Sequence, residues 1–179
     1  KSDPLGYAVG TASVPLAREA VAALRAKNET AVKPVFLMSQ MPEDLVNMTD
    51  GFADSLDTAW IEAQKIHERL KALDASLFSE HDAAVFRLLA FLYSRPGRNI
   101  DPVRHWSYPM LYQYPLADSI LGETENSLVS LKNLVDRNLL RFGELKDRIR
   151  LCPQCNTARL NYVDVCPNCA GIDILQKPF

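Results

Sequence analysis

The only four cysteines of this 179-residue sequence form two matching pairs near its end. Cys152-Pro-Gln-Cys155 and Cys166-Pro-Asn-Cys169 are separated by ten residues, and a strand predicted for 158–165 would return the chain to present the second pair. Each Cys-Pro-x-Cys predicts a tight turn that brings two sulfurs to one ion. Four thiolates fill the tetrahedral shell of Zn²⁺ and leave no position for water. The spacing therefore predicts a zinc ribbon whose zinc is structural.

Two other uses of these cysteines compete with zinc binding. Disulfides need an oxidising compartment, and no basic, apolar, small-residue signal leads the chain, so we expect a cytoplasmic protein with reduced thiols. A redox dithiol usually follows a strand of a thioredoxin-like βαβ unit, which the pattern lacks. Zinc is the favoured interpretation, and we expect metal binding to supply roughly 10 kcal/mol of the folding free energy of the ribbon.

Composition describes an ordinary soluble globular chain, 47% apolar and 23% charged, with a formal net charge of -2. This balance gives no overall attraction to phosphate backbones or anionic membranes, so a nucleic-acid role would need a local basic patch. Apolar stretches such as Leu88–Tyr93 are far shorter than a membrane helix requires. The chain begins at Lys1 rather than methionine, which is compatible with an excised piece of a longer protein.

The elements that precede the cysteines are predicted from hydrophobic spacing. Ser13 caps a helix that tolerates Pro15 in its first turn and runs to Asn28, and the apolar run Pro34–Ser39 predicts a buried parallel strand. A long helix is predicted from Asp54 to Leu73. Its apolar stripe consists of Leu56, Trp60, Ala63, Ile66, Leu70 and Leu73. This stripe could pair with a second copy of the chain, but three heptads also suit packing on the chain's own core, which we favour.

The middle of the chain predicts a winged helix-turn-helix. A helix capped within Ser79–Asp82 is followed by an aromatic and proline-rich stretch, Asp101–Pro115, that we expect to pin an irregular segment to the core rather than to bind a ligand. A helix from Thr124 to about Asn138 then leads to two predicted strands. These strands are Leu139–Phe142 and Arg148–Leu151, joined by a turn around Gly143. In a DNA-binding version, the Thr124 helix would enter the major groove.

Direct DNA binding is the less favoured hypothesis. The Thr124 helix offers Lys132, Asn133 and Arg137, but Glu125 and Asp136 lie among them and would repel phosphates. No phosphate-binding loop and no nucleophile beside a plausible base are present, so no catalytic residue is predicted. One acidic group is interpreted as a solvated face rather than a metal site. It consists of Glu43, Asp44, Asp50, Asp54 and Asp57.

The order of these motifs resembles the thaumarchaeal output domain family, over about Leu88 to Phe179. The resemblance rests on Tyr112-Gln-Tyr114-Pro115, Leu131, Leu134, Asn138-Leu-Leu140, Asp147-Arg148-Ile149-Arg150, both cysteine pairs, Leu160-Asn161-Tyr162 and Ile172-Asp173-Ile174. It implies a signalling protein, often joined to receiver-like or diguanylate cyclase domains. The preceding segment, with Asp50-Gly51-Phe52, is similar to the closing half of a receiver-like domain without its phosphoacceptor strand.

Together these inferences predict a mainly α fold with small β elements. We expect a partial receiver-like α/β segment over 1–53, a linker helix over 54–78, a winged-helix-like unit over 79–151 and a four-cysteine zinc ribbon over 152–179. The expected function is that of a zinc-stabilised sensory or regulatory module that is not itself an enzyme. It would control a diguanylate cyclase output through protein contacts or dimerisation along the 54–73 helix. The alternative is a winged-helix, zinc-ribbon transcriptional regulator that binds nucleic acid.

Overall fold

The computed structural model describes residues 3–11, 13–73, 82–122, 127–155, 157–158 and 168. Over these residues the fold is mainly helical with two small sheets, as the sequence predicts. The elements are β1 (Tyr7–Val9), α1 (Val14–Ala26), β2 (Val35–Leu37), α2 (Glu43–Val46), α3 (Leu56–Lys71), α4 (Ala83–Tyr93), β3 (Val103–Arg104), β4 (Tyr112–Gln113), α5 (Pro115–Leu121) and α6 (Leu128–Asp136). None of the described helices combines the length and apolar character needed to cross a membrane.

The first sheet is parallel and buried. β1 pairs with β2 in the register Tyr7↔Val35, and Leu37 forms a further parallel bridge with Phe52. Every residue of β2 is buried, which confirms the strand predicted from the continuous apolar run. β1 was not predicted because its three residues are too short a run to distinguish from a loop.

Local capping chemistry sets the starts of α1 and α3. Ser13 is the N-cap of α1, and Pro15 lies in its first turn, where the missing N–H costs no helical hydrogen bond. Ser55 caps α3, and its hydroxyl accepts a hydrogen bond from the Thr58 backbone N–H at 3.2 Å. The sequence predicted the ends of both helices to within about two residues.

The second sheet is an antiparallel hairpin, β3 with β4, that lies between α4 and α5 in the chain. The sequence predicts an irregular segment that ends at Pro115 and no helix after it, so α5 is not predicted. The proline instead occupies the first turn of α5, where its fixed φ suits a helix. Gly122 closes α5 in the left-handed conformation, at φ 72°, which a glycine adopts without strain.

The two strands predicted for the wing are not formed. The described residues 139–151 contain no regular strand, although Leu139–Phe142 and Arg148–Leu151 have the expected residue types. Phe142 and Leu145 are exposed, so no core face holds the segment in a register. An isolated two-stranded hairpin is at best marginally stable in water, which explains why residue type alone gave the wrong expectation here.

One hydrophobic core joins the first third of the chain to the helices that follow. Ala31, from the turn after α1, is buried together with Leu88 and Phe91 of α4. The remaining members of this core come from α5 and α6. They are Leu116, Ala117, Ile120, Leu131 and Leu134. The segment before residue 76 thus completes the core of the segment after it.

Candidate functional site

The first cysteine pair forms a closed turn that favours a thiolate. The pKa of the Cys152 thiol is lowered by hydrogen bonds from the backbone N–H groups of Cys155 and Gln154, and then by the Cys155 thiol. The Cys152 N–H in turn donates to the Thr157 carbonyl at 2.9 Å. Because the thiolate is the metal-binding form of cysteine, this turn suits a metal ligand pair.

The aromatic and proline-rich stretch holds this turn in place. The Ala158 N–H and the Thr157 hydroxyl both donate to the Pro109 carbonyl, at 2.7 and 3.1 Å. Pro109 therefore attaches the stretch to the cysteine turn, and Trp106, which was expected to help pin the stretch to the core, is instead 81% exposed. Attachment to the hairpin gives the cysteine turn a fixed position on the protein.

The second cysteine pair lies outside the described residues, so the tetrahedral arrangement stays a prediction. Within the part of the chain that the structure describes, no group of three or more potential metal ligands occurs. Cys152 and Cys155 are the half of the predicted site that can be inspected, and both are free thiols. Their turn is compatible with two zinc ligands and also with a redox-active dithiol.

A polar groove of about 290 Å³ lies beside the cysteine turn. Arg104 of β3 lines it together with Arg148, Arg150 and Asp147. The Tyr112 hydroxyl donates to Asp147 Oδ2 at 2.6 Å; this hydrogen bond raises the pKa of Tyr112 and lowers that of Asp147. The groove therefore gathers three arginines, with one carboxylate among them.

A buried charge cluster lies where the first third of the chain meets α4. The Asp50 side chain is 5% exposed, which shows that its assignment to a solvated acidic face was wrong. Its Oδ2 accepts hydrogen bonds from the Val35 N–H at 2.8 Å and from Arg95 Nη2 at 3.2 Å, and Arg95 Nε binds Oδ1. Arg25 Nη2 lies 3.4 Å from the same Oδ2. Asp50 is the carboxylate that these two buried arginines share.

Backbone carbonyls and the Ser94 hydroxyl accept further hydrogen bonds from the two arginines. Arg25 donates to the carbonyls of Met48, Ala31 and Lys33, each at 2.8 Å. Arg95 donates to the Val32 carbonyl at 3.0 Å and to the Ser94 hydroxyl at 2.8 Å. The Phe91 ring contacts both guanidinium groups, with its centroid 4.8 Å from Arg25 and 3.9 Å from Arg95. These contacts are cation–π interactions in a water-poor site.

Burial and charge act in opposite directions on this cluster. Burial lowers the pKa of Arg25 to about 9, against the attraction of Asp50, and the guanidinium stays charged at neutral pH. Burial alone would raise the pKa of Asp50, but the charge and hydrogen bond of Arg95, followed by the charge of Arg25, hold it below its ordinary value. Asp50 and Arg25 are therefore both ionised in the folded protein.

Helix α3 divides its predicted apolar stripe between two environments. Ala63 and Ile66 of this stripe are buried against the chain's own core, as favoured from sequence, together with the neighbouring Ala59. Leu56 and Trp60, one turn apart, are instead 66% and 55% exposed. Phe52, just before the helix, is exposed as well. We call Phe52, Leu56 and Trp60 the α3 face.

Comparison with known protein families identifies the later part of the chain. A family model described as thaumarchaeal output domain 1 matches residues 76–179, which is more than half of the sequence. The chain belongs to this family. The match begins in the segment before α4 and includes both cysteine pairs, in agreement with the resemblance noted from the motifs.

The searches of curated proteins and of solved structures gave no match.

The buried charge cluster contains residues from both parts of the chain. The thaumarchaeal output domain contributes Arg95 and Phe91, whereas Asp50 and Arg25 come from the segment before the family match. No local pattern indicates this pairing, because Asp50 and Arg95 are 45 residues apart in sequence.

Proposed function

We propose that this chain is a zinc-stabilised regulatory module of a signalling protein, which controls an output domain through protein contacts or dimerisation along α3. The observation that carries the proposal is the α3 face. Leu56 and Trp60 are exposed on a helix whose adjacent residues Ala59, Ala63 and Ile66 are anchored in the core. A helix that is held in the core and exposes apolar side chains beside its buried residues is suited to contact with a second protein surface. A second copy of the chain is the partner we propose.

The proposed zinc site would hold the C-terminal segment against the hairpin. Cys152 and Cys155 would supply two thiolates, and Cys166 and Cys169 the other two. Four protein ligands leave no open position, so the ion would have a structural role. The hydrogen bonds from the cysteine turn to Pro109 would then connect the zinc-bound ribbon to the β3–β4 hairpin and stabilise the hairpin.

The output we propose is a diguanylate cyclase elsewhere in the same signalling protein. Support comes from the membership of residues 76–179 in an output-domain family and from the parallel β1–β2 pairing, which suits the end of a receiver-like segment over 1–53. Under this proposal, 54–78 is a helical linker, 79–151 is a mainly helical unit without the two strands predicted within 139–151, and 152–179 is a zinc ribbon. Dimerisation would bring two output domains together.

Sedimentation velocity on the purified chain tests the dimerisation proposal. We expect wild type to self-associate as its concentration rises, and the double variant Leu56→Glu with Trp60→Glu to remain monomeric with unchanged helix content. Gln64→Glu, an exposed change on the same helix, is the control and should dimerise like wild type. A monomeric wild type, or equal association of the double variant, would remove α3 as the contact.

A nucleic-acid-binding regulator is the second candidate. The observation in its favour is the groove that brings Arg104, Arg148 and Arg150 together. Binding of duplex DNA should then weaken steeply as salt is raised, because each neutralised phosphate releases counterions. Arg148→Gln with Arg150→Gln should reduce both the affinity and the salt slope. Absence of binding at low salt would exclude this candidate.

A further inference from the structure

A cavity of about 320 Å³ opens beside the buried charge cluster, between α3 and the loop after α4. Three arginines line it: Arg69 from α3, Arg95, and Arg98 from the loop. Asp50 and Glu62 also line it. The volume lies at the lower end of the range found for small-ligand sites, and junctions between structural units are frequent places for such sites.

Both carboxylates of this cavity already have cationic partners. Asp50 is bound by Arg25 and Arg95, and Glu62 Oε1 accepts a hydrogen bond from Lys65 Nζ at 2.6 Å. Their negative charge is thus offset within the protein. What remains to be balanced is the charge of Arg69 and Arg98.

Arg69 and Arg98 use only part of their hydrogen-bonding capacity. Arg69 donates through Nη1 to the Ser94 carbonyl at 3.2 Å, and Arg98 donates through Nη2 to the carbonyls of Val46, at 2.8 Å, and Thr49. Within the described residues, neither guanidinium forms an ion pair with a carboxylate. Each therefore has N–H donors left for a ligand.

The partial burial of Arg98 disfavours its charge, and no carboxylate of the described residues is in direct ion-pair contact with it. Burial lowers the pKa of Arg98, and the neighbouring charge of Arg95 lowers it further, whereas the charges of Asp50 and Asp101 oppose both effects. A bound anion would act in the opposite direction and favour the charged guanidinium. Forked arginine donors match the oxygens of phosphate groups, to which they can bind in pairs.

We propose that this cavity binds a small phosphate-bearing anion, held between Arg69 of α3 and Arg98 of the loop after α4. Such a ligand would connect α3, which precedes the family match, to the output domain, and its binding would stabilise their contact. The proposal is independent of zinc and of dimerisation, because neither the cysteines nor the α3 face lines the cavity.

Calorimetric titration of the full chain with inorganic phosphate and with pyrophosphate, at constant ionic strength set by chloride, tests this site. We expect saturable binding and a melting temperature that rises with ligand concentration. Arg69→Gln should weaken binding by about tenfold or more, since it removes a charge-assisted hydrogen bond. Lys71→Gln removes the same charge from the same helix outside the cavity and should bind like wild type.

Other outcomes would overturn the proposal. No saturable heat with either probe, or equal binding by wild type and Arg69→Gln, would mean that the cavity is not an anion site. Succinate serves as the comparison for carboxylates: tighter binding of succinate than of either phosphate probe would exclude the phosphate class. Circular dichroism of Arg69→Gln should match wild type, and Arg69→Lys, which keeps the positive charge, should recover part of the affinity.

Discussion

Asp50 and Arg95, 45 residues apart in sequence, form a buried ion pair in which both Nε and Nη2 of the arginine bind the carboxylate. Asp50 also accepts the Val35 N–H of β2, so the pair connects the parallel sheet to the end of α4. Arg95 belongs to the thaumarchaeal output domain and Asp50 to the segment before it. The pair is thus a direct link between the two parts of the chain.

Replacing Asp50 by asparagine should strongly destabilise the protein. The change leaves Arg25 and Arg95 buried without their shared carboxylate, and breaking a buried pair in this way costs about 3–5 kcal/mol. Urea denaturation followed by circular dichroism measures this loss. Asp54→Asn, at an exposed position four residues later, is the control and should change the free energy of unfolding by less than about 0.5 kcal/mol. Equal stabilities of the two variants would contradict the role given to the pair.

Acid should weaken the same link. The folded-state pKa of Asp50 is depressed, so its stabilising contribution is complete above the unfolded pKa of about 3.9 and is lost as pH falls through the lower folded pKa. We therefore expect the free energy of unfolding of wild type to fall more steeply below about pH 4 than that of Asp50→Asn. Parallel pH profiles for the two proteins would show that Asp50 is not the titrating group.

The aromatic ring of Phe91 should contribute beyond its volume. Phe91→Met keeps much of the buried volume but removes the ring that contacts two guanidinium groups. Leu88→Met is the control: it introduces the same residue into the same core at a position that has no aromatic ring to contact a guanidinium group. We expect Phe91→Met to cost about 1–2 kcal/mol more than Leu88→Met in thermal unfolding. Equal costs would assign the role of Phe91 to packing alone.

Local patterns predicted the helices well where capping and periodicity agree. Ser55 and the apolar spacing placed α3, and the buried run Pro34–Ser39 placed β2. The patterns could not place Asp50, because its burial depends on arginines distant in sequence. In the sequence Asp50 is one of several neighbouring acidic residues, whereas in the structure it is buried among arginines and Asp54 is exposed.

The segment 139–151, predicted to form the wing, shows that strand-forming residue types alone do not produce a strand. Residue types typical of strands occur at Leu139–Phe142, but the described structure has no strand there and leaves Phe142 exposed. Strand formation depends on a neighbour and a covering surface, which propensity does not contain. The spacing of the candidate metal ligands is local and can be read from the sequence, although the site itself stays a prediction. The contact of its first turn with Pro109 joins residues distant in sequence and could not be predicted in this way.

Metal content of the purified chain tests the zinc-stabilised account most directly. We expect mass spectrometry under non-denaturing conditions to show one zinc per chain, Cys152→Ser to lose it, and chelation to abolish cooperative unfolding of the C-terminal segment. Ser130→Ala, a change away from the cysteines, should keep the metal. A metal-free chain with four titratable thiols and an unchanged melting curve on chelation would contradict the zinc site and assign the cysteines to redox chemistry.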